Sequence, residues 1–176
     1  MTRALALTLA VSTLLLAGSC AAPQKPLPLP VPVPRPIPLP PLPPPPADWR
    51  DAPQTAGNWR WGMIGGRSVA SFGQPGAAPL VTLTCERDRA RVLIARQGLA
   101  TGAVPMMLRS GTGVRPLSSD PQLGAPGMVT AELPARDPAL DAIAFSRGRF
   151  ALETAGLATL YLPSWPEISR VVEDCR

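Results

Sequence analysis

Two arginines that flank a glycine form the most distinctive chemical stretch of the chain. Residues 145–150 read FSRGRF, in which Arg147 and Arg149 stand on either side of Gly148. Two guanidinium groups beside a glycine that admits close backbone approach would suit phosphate, a carboxylate or the phosphates of lipid A. The alternative is a turn in which these arginines form ion pairs with acids of the last predicted helix: Glu167, Glu173 and Asp174.

A pair of tryptophans is the second candidate site. Trp59 and Trp61 are two residues apart, so on a β-strand they lie on the same face. If that face is exposed, the two rings could stack on the sugar rings of a glycan. If it faces inward, they belong to the hydrophobic core. The sequence leaves both interpretations open.

Composition and spacing exclude several kinds of catalytic site. The chain has no histidine, which excludes a histidine base, a Ser-His-Asp triad and a histidine metal ligand. Glu173 and Asp174 are adjacent, so on a helix they point in different directions and form no carboxylate dyad. Ser68, Ser146 and Ser164 lack a Gly-x-Ser-x-Gly elbow, and no phosphate-binding glycine loop or zinc ligand set occurs. We therefore expect a non-enzymatic protein with no metal and no cofactor.

The net charge argues against nucleic-acid binding. The formal charge is +5, but Arg3, Lys25 and Arg35 precede the predicted domain. From Ala47 onward, 14 arginines stand against 12 acids. Nucleic-acid binding requires a clustered basic face, and so balanced a domain does not predict one.

The N-terminus has the layout of a secretory signal. Residues 1–19 contain a basic start at Arg3, an apolar stretch from Ala4 to Ala17 and then small residues. The apolar stretch is too short for a transmembrane helix. This N-terminus is compatible with an ordinary signal peptide that is cut near Ala21 or Ala22, with an uncleaved anchor, or with a lipoprotein signal peptide.

Small residues that end at Cys20 resemble the bacterial lipobox, although Ala17 stands where that motif usually has leucine. The resemblance implies cleavage before Cys20 and the attachment of three acyl chains to it. Two or more chains anchor a protein stably to a bilayer. Ala21, rather than aspartate, follows the cysteine, and the resemblance then implies the outer membrane; the inner membrane and the soluble periplasm are alternatives.

Residues 20–47 are interpreted as the lipidated terminus and a proline-rich spacer. Between Pro23 and Pro46, 14 of 24 residues are proline. Proline fixes φ and donates no backbone hydrogen bond, so this tract predicts an extended polyproline II chain. At about 3.1 Å per residue it would span roughly 75 Å.

Two further cysteines lie in the predicted domain. Cys85 and Cys175 are the ones that remain if Cys20 is lipidated, and a pair in an exported domain predicts a disulfide. A redox pair is the alternative, but no Cys-x-x-Cys motif supports it.

Residues 48–176 predict a mainly β (α+β) domain, a small antiparallel β-sandwich or meander with one or two short helices. Alternating apolar residues between turn formers indicate strands. These strands are expected at residues 59–64, 67–72, 80–85, 91–96, 105–110, 128–133, 150–153 and 158–162, and residues 111–115 are expected to form a turn and a short return.

Two helices are predicted from their capping residues. Asp137 and Pro138 are suited to the N-cap and first position of a helix that reaches Phe145. Ser164 and Glu167 have capping-box spacing and predict a helix from Trp165 to about Asp174. Three residues of that helix would face the core: Ile168, Val171 and Val172.

The C-terminal part of the chain carries a resemblance of its own. Residues 144–150 (AFSRGRF), 162–168 (LPSWPEI) and 173–176 (EDCR) resemble small proline-rich envelope proteins of alphaproteobacteria such as sphingomonads. The resemblance implies an envelope location and no particular activity.

These inferences together predict a lipid-anchored envelope protein with a non-enzymatic binding or scaffolding domain. It would face the periplasm from the outer membrane. Its expected partners, besides the membrane that holds the anchor, are an envelope protein, peptidoglycan or lipopolysaccharide. The alternatives are an enzyme acting on envelope polymers and an accessory factor that docks on an envelope assembly or secretion complex.

Overall fold

The computed structural model describes residues 48–145 and 148–176, which form strands and two short helices. The signal peptide, the lipidated Cys20 and the spacer lie outside these residues and stay predictions. In chain order the elements are β1 Asn58–Ile64, β2 Arg67–Gly73, β3 Val81–Glu86, β4 Arg91–Gln97, β5 Pro105–Ser110, β6 Gly113–Ser118, β7 Met128–Pro134, α1 Pro138–Ala144, β8 Arg149–Thr154, β9 Leu157–Pro163 and α2 Pro166–Asp174.

The strands form two antiparallel sheets. One has the order β1-β2-β3-β4-β7 and the other the order β6-β5-β8-β9. A single cluster of buried apolar residues draws on both sheets and both helices, as expected where layers pack around one core. The prediction of a mainly β, sandwich-like α+β domain is confirmed.

Alternating side chains give the five-stranded sheet a buried inner face. On β3, Val81, Leu83 and Cys85 are buried, whereas the residues between them are only partly buried. Residues directly opposite each other on paired strands share a face. The register therefore places Trp59, Trp61 and Met63 of β1 on the inner face too.

A two-glycine turn joins β1 to β2. Gly65 and Gly66 have φ values of 57° and 77°, as a type I′ turn requires. Ile64 pairs with Arg67 directly across this turn. The hairpin predicted from the Gly-Gly pair is confirmed.

The start of α1 agrees with the sequence prediction. The Asp137 carboxylate accepts a hydrogen bond from the Ala139 backbone N–H at 2.9 Å, and Pro138 is the first helical residue. Asp137 also accepts from Arg115 Nη2 at 2.7 Å. One carboxylate therefore caps α1 and joins it to β6.

The capping box predicted for α2 is wrong, although the helix itself is confirmed. The N-cap is Trp165, one residue later than expected, and it makes no side-chain capping hydrogen bond. Pro166 occupies the first helical position, where its missing N–H is tolerated. Ser164 is thereby left outside the helix, with a buried hydroxyl that has no partner among the described residues.

A disulfide joins the end of α2 to the five-stranded sheet. It links Cys85 of β3 to Cys175, whose Cα atoms are 5.4 Å apart. The inner side of α2 buries Ile168, Val171 and Val172, as predicted. Within residues 48–145 and 148–176, neither helix has the length and apolar character needed to cross a bilayer.

Candidate functional site

A cleft of about 670 Å³ lies between the tip of the β1–β2 hairpin, the turn after β3 and the side of α2 that carries Arg170 and Asp174. We call it the hairpin–helix cleft. It combines one tryptophan, one methionine, four arginines and three acids. Its lining residues are Trp61, Met63, Gly66, Arg67, Ser68, Cys85, Glu86, Arg87, Asp88, Arg89, Arg170 and Asp174.

A chain of hydrogen bonds fixes the Trp61 ring in this cleft. Trp61 Nε1 donates to Ser68 Oγ at 2.8 Å, and Ser68 Oγ donates to Asp174 Oδ2 at 2.7 Å. Asp174 Oδ1 lies 3.3 Å from Arg170 Nε, and the Arg170 guanidinium lies 5.0 Å from the Trp61 ring centroid. This contact has cation–π geometry. The indole, 39% exposed, is therefore held on its N–H edge and contacted by a cation.

Trp59 has a different environment although it shares the inner face of β1. It is 3% exposed, and its ring centroid lies 5.2 Å from that of Phe72. Its Nε1 donates to the Pro163 carbonyl oxygen at 2.8 Å, at the end of β9. Trp59 thus belongs to the core, and Trp61 is the member of the pair that faces solvent.

Glu86 organises the basic rim of the cleft. Its carboxylate lies 3.3 Å from Arg67 Nη1, 3.9 Å from Arg89 Nη1 and 2.6 Å from Arg91 Nη2. The hydrogen bond to Glu86 is the main cause that raises the pKa of Arg91. Because one carboxylate is shared among three guanidinium groups, the exposed Arg67 and Arg89 retain capacity for further acceptors.

Arg87 and the disulfide together fix the end of α2 against β3. Arg87 Nε donates to the Asp174 carbonyl oxygen at 2.8 Å, and Arg87 Nη2 contacts the same oxygen. A cation at the C-terminus of a helix is favoured by the helix dipole. Since Arg170 and Asp174 are residues of α2, these attachments also hold the wall of the cleft.

Apolar side chains are exposed at the tip of the hairpin. Met63 is 60% exposed and Ile64 is 62% exposed. Met63 shares the face of β1 that carries Trp61, whereas Ile64 lies on the opposite face and pairs with the exposed Arg67. Apolar residues that are exposed beside charged residues are typical of an interaction site.

The structure describes only one of the two arginines that were predicted to form an anion site. Arg147 lies outside the described residues. Arg149 begins β8, and its Nη1 donates to the Ala52 carbonyl oxygen at 2.6 Å. An anion site at Arg147 and Arg149 stays a prediction.

Two of the three acids of the cleft are engaged in structural contacts. Glu86 contacts arginines, and Asp174 accepts from Ser68 while contacting Arg170, whereas Asp88 is exposed. Glu173 is exposed on α2. Among the described residues no group of three or more histidine, cysteine or acidic side chains could hold a metal ion.

Sequence reasoning identified Trp61 but missed the residues that surround it. Glu86 to Arg89 read only as a charged turn, and Ser68 and Arg170 carried no motif. Ser68 and Asp174 are separated by 106 residues, so no local pattern relates them.

Comparison of the chain with models of known protein families, with curated proteins and with solved structures found no match.

Proposed function

We propose that the protein is a lipid-anchored envelope protein whose domain binds a partner without catalysis, at the periplasmic face of the outer membrane. The anchor and location rest on the resemblance of residues 17–20 to a lipobox and on Ala21 after Cys20. The proline-rich residues 23–46 would hold the domain some tens of ångströms from the lipid. Its likeness to proline-rich alphaproteobacterial envelope proteins agrees with this location.

The observation that carries the binding role is the fixed, half-exposed Trp61 in the hairpin–helix cleft. Ordering a side chain before binding lowers the entropy lost when a partner arrives. The hydrogen bond to Ser68 and the contact with Arg170 order Trp61 in this way. Tryptophan, methionine and arginine are enriched at protein interfaces, and all three occur here.

An envelope protein is the partner that this composition favours over a glycan. Glycan binding would use the Trp61 face, which Arg170 contacts. Protein docking would use the exposed Met63 and Ile64 as well. The accessory-factor role, in which the domain docks on an envelope complex, is therefore the form of the proposal that we test.

An enzyme acting on envelope polymers is the rival function. It would require two free carboxylates that converge across a cleft. Two of the three acids of the hairpin–helix cleft, Glu86 and Asp174, are instead in contact with arginines, which leaves Asp88 without a second free carboxylate beside it. No observation on the described residues favours this rival.

Site-specific photocrosslinking in cells tests the binding role. A photoreactive amino acid at position 63 should yield a discrete crosslinked protein. The same group at Leu99, which is 87% exposed in the loop after β4, is the matched control. Equal crosslinking from both positions, or none from position 63, would contradict binding at the cleft.

Metabolic labelling with a fatty acid tests the anchor separately. The wild-type chain should incorporate the label, and Cys20→Ala should not. Labelling that persists in the variant would overturn the lipoprotein interpretation.

A further inference from the structure

Within the part of the chain that the structure describes, β1 is an edge strand with one unpaired side. It pairs with β2 along its whole length and is the first strand of its sheet. Among the described residues, no strand pairs with its other edge and no loop–backbone hydrogen bond reaches it. A row of free backbone donors and acceptors is a template for another strand.

The turn geometry identifies which groups face that free edge. In a two-residue turn the first and fourth residues are joined by a backbone hydrogen bond, so Ile64 and Arg67 form a bonded pair. Bonded and non-bonded pairs alternate along an antiparallel ladder. The N–H and C=O groups of Trp59, Trp61 and Met63 therefore point away from β2.

Residues 48–145 and 148–176 leave the edge uncovered at the end that borders the hairpin–helix cleft. Near Trp59 the indole contacts the end of β9 through the Pro163 carbonyl. From Arg60 to Ile64, by contrast, every residue is exposed except the half-buried Gly62. Proteins commonly protect such edges with proline, bulges or charged side chains. β1 has no proline, pairs with β2 in an unbroken register and carries one charged residue, Arg60.

We propose that an extended, acidic segment of a partner protein adds to β1 as an antiparallel strand. This inference rests on the proposed binding function and names its mode. Main-chain hydrogen bonds to Trp61 and Met63 would supply affinity, and alternate side chains would enter the cleft on one face. The opposite face of the added strand would lie beside Arg60 and Ile64.

Charge complementarity selects an acidic segment. The cleft and the exposed Arg60 together carry five arginines against three acids: Arg60, Arg67, Arg87, Arg89 and Arg170 against Glu86, Asp88 and Asp174. A second copy of this chain would bring a second set of arginines to the same edge, which opposes pairing. A membrane surface could contact the apolar tip of the hairpin. It would offer no strand backbone to hydrogen-bond with the free N–H and C=O groups of Trp61 and Met63.

Binding of a designed peptide to the purified full-length protein tests strand addition. The probe is a fluorescent seven-residue peptide, as long as β1, that alternates glutamate and valine. It should bind more tightly than its lysine–valine counterpart. Hydrogen exchange should show slower exchange of the Trp61 and Met63 amides when the peptide is bound.

Two variants at one position separate backbone pairing from side-chain contact. Met63→Ala removes the side chain and keeps the N–H. Met63→Pro also removes the N–H that faces the free edge and leaves the ladder to β2 intact. We expect Met63→Pro to bind the acidic peptide about fivefold more weakly than Met63→Ala, the effect of one lost hydrogen bond.

Equal affinities of these two variants, or unchanged exchange at Trp61 and Met63, would overturn strand addition. Crosslinking from position 63 would then still support binding at the cleft, so the two proposals fail separately. If Met63→Pro does not fold, hydrogen exchange of the wild-type protein decides the matter. Tighter binding to phosphatidylglycerol vesicles than to the peptide, or dimerisation through β1 in sedimentation experiments, would also overturn the proposal.

Discussion

Replacing Arg96 by methionine should stabilise the protein. Arg96 lies on the inner face of β4, between Val81 and Val129 of the neighbouring strands, and is 6% exposed. Its Nε and Nη1 atoms are buried and have no hydrogen-bond partner among the described residues. Burial away from water lowers the pKa of this guanidinium, which is the sign of an unfavourable environment for charge.

This substitution should raise the free energy of unfolding by about 2 kcal/mol. An unpartnered buried donor costs about 1–3 kcal/mol, and Arg96 has two such nitrogen atoms. Methionine removes both and retains most of the aliphatic length, so little packing is lost. For a domain of this size, a gain of about 2 kcal/mol corresponds to an increase in Tm of roughly 5–10 °C.

Urea denaturation followed by tryptophan fluorescence measures this gain, with thermal unfolding as a second readout. Arg109→Met is the matched control, because Arg109 Nε donates to Glu153 at 2.8 Å. That variant should be slightly less stable than wild type. A lower free energy of unfolding for Arg96→Met than for the wild type would refute the reasoning.

Three further predictions concern the attachments between elements. Cys175→Ser should lower the free energy of unfolding, measured by urea denaturation, by about 4 kcal/mol, because the disulfide joins residues that are 90 apart in the sequence. An unchanged denaturation midpoint would contradict this prediction. Asp137→Ala should cost about 1–2 kcal/mol by the same assay, since it loses the α1 cap and the Arg115 ion pair. Asp137→Asn, which keeps a capping oxygen, should cost less, and an equal cost would contradict the capping role. Trp61→Ala should reduce crosslinking from position 63 while changing Tm by only a few degrees, and a large fall in Tm would instead make Trp61 a core residue.

The local elements were predictable because each depends on nearby residues. Gly65 and Gly66 fix the first hairpin, and Asp137 with Pro138 fixes the start of α1. The capping box failed because Ser164 and Glu167 have the right spacing, yet Pro166 between them sets the helix start one residue later. Local patterns therefore predict the type of an element more accurately than the residue at which it begins.

The candidate site was not predictable to the same degree. The sequence indicates that Trp59 and Trp61 share a face, but not that the core covers one and leaves the other half exposed. That difference depends on where β9 ends and where α2 packs. The grouping of Ser68, Arg170 and Asp174 around Trp61 depends on the same tertiary arrangement.

The contact between the first hairpin and the last helix has a consequence for the order of folding. Trp59 bonds to Pro163 across 104 residues, and Ser68 bonds to Asp174 across 106. Such distant contacts slow folding, because a long loop must close before they form. During synthesis the N-terminal part of the chain emerges from the ribosome first. β1 and β2 are therefore exposed long before β9 and α2 are present to cover them. During that interval the apolar inner face of the hairpin is the surface that a chaperone would need to protect.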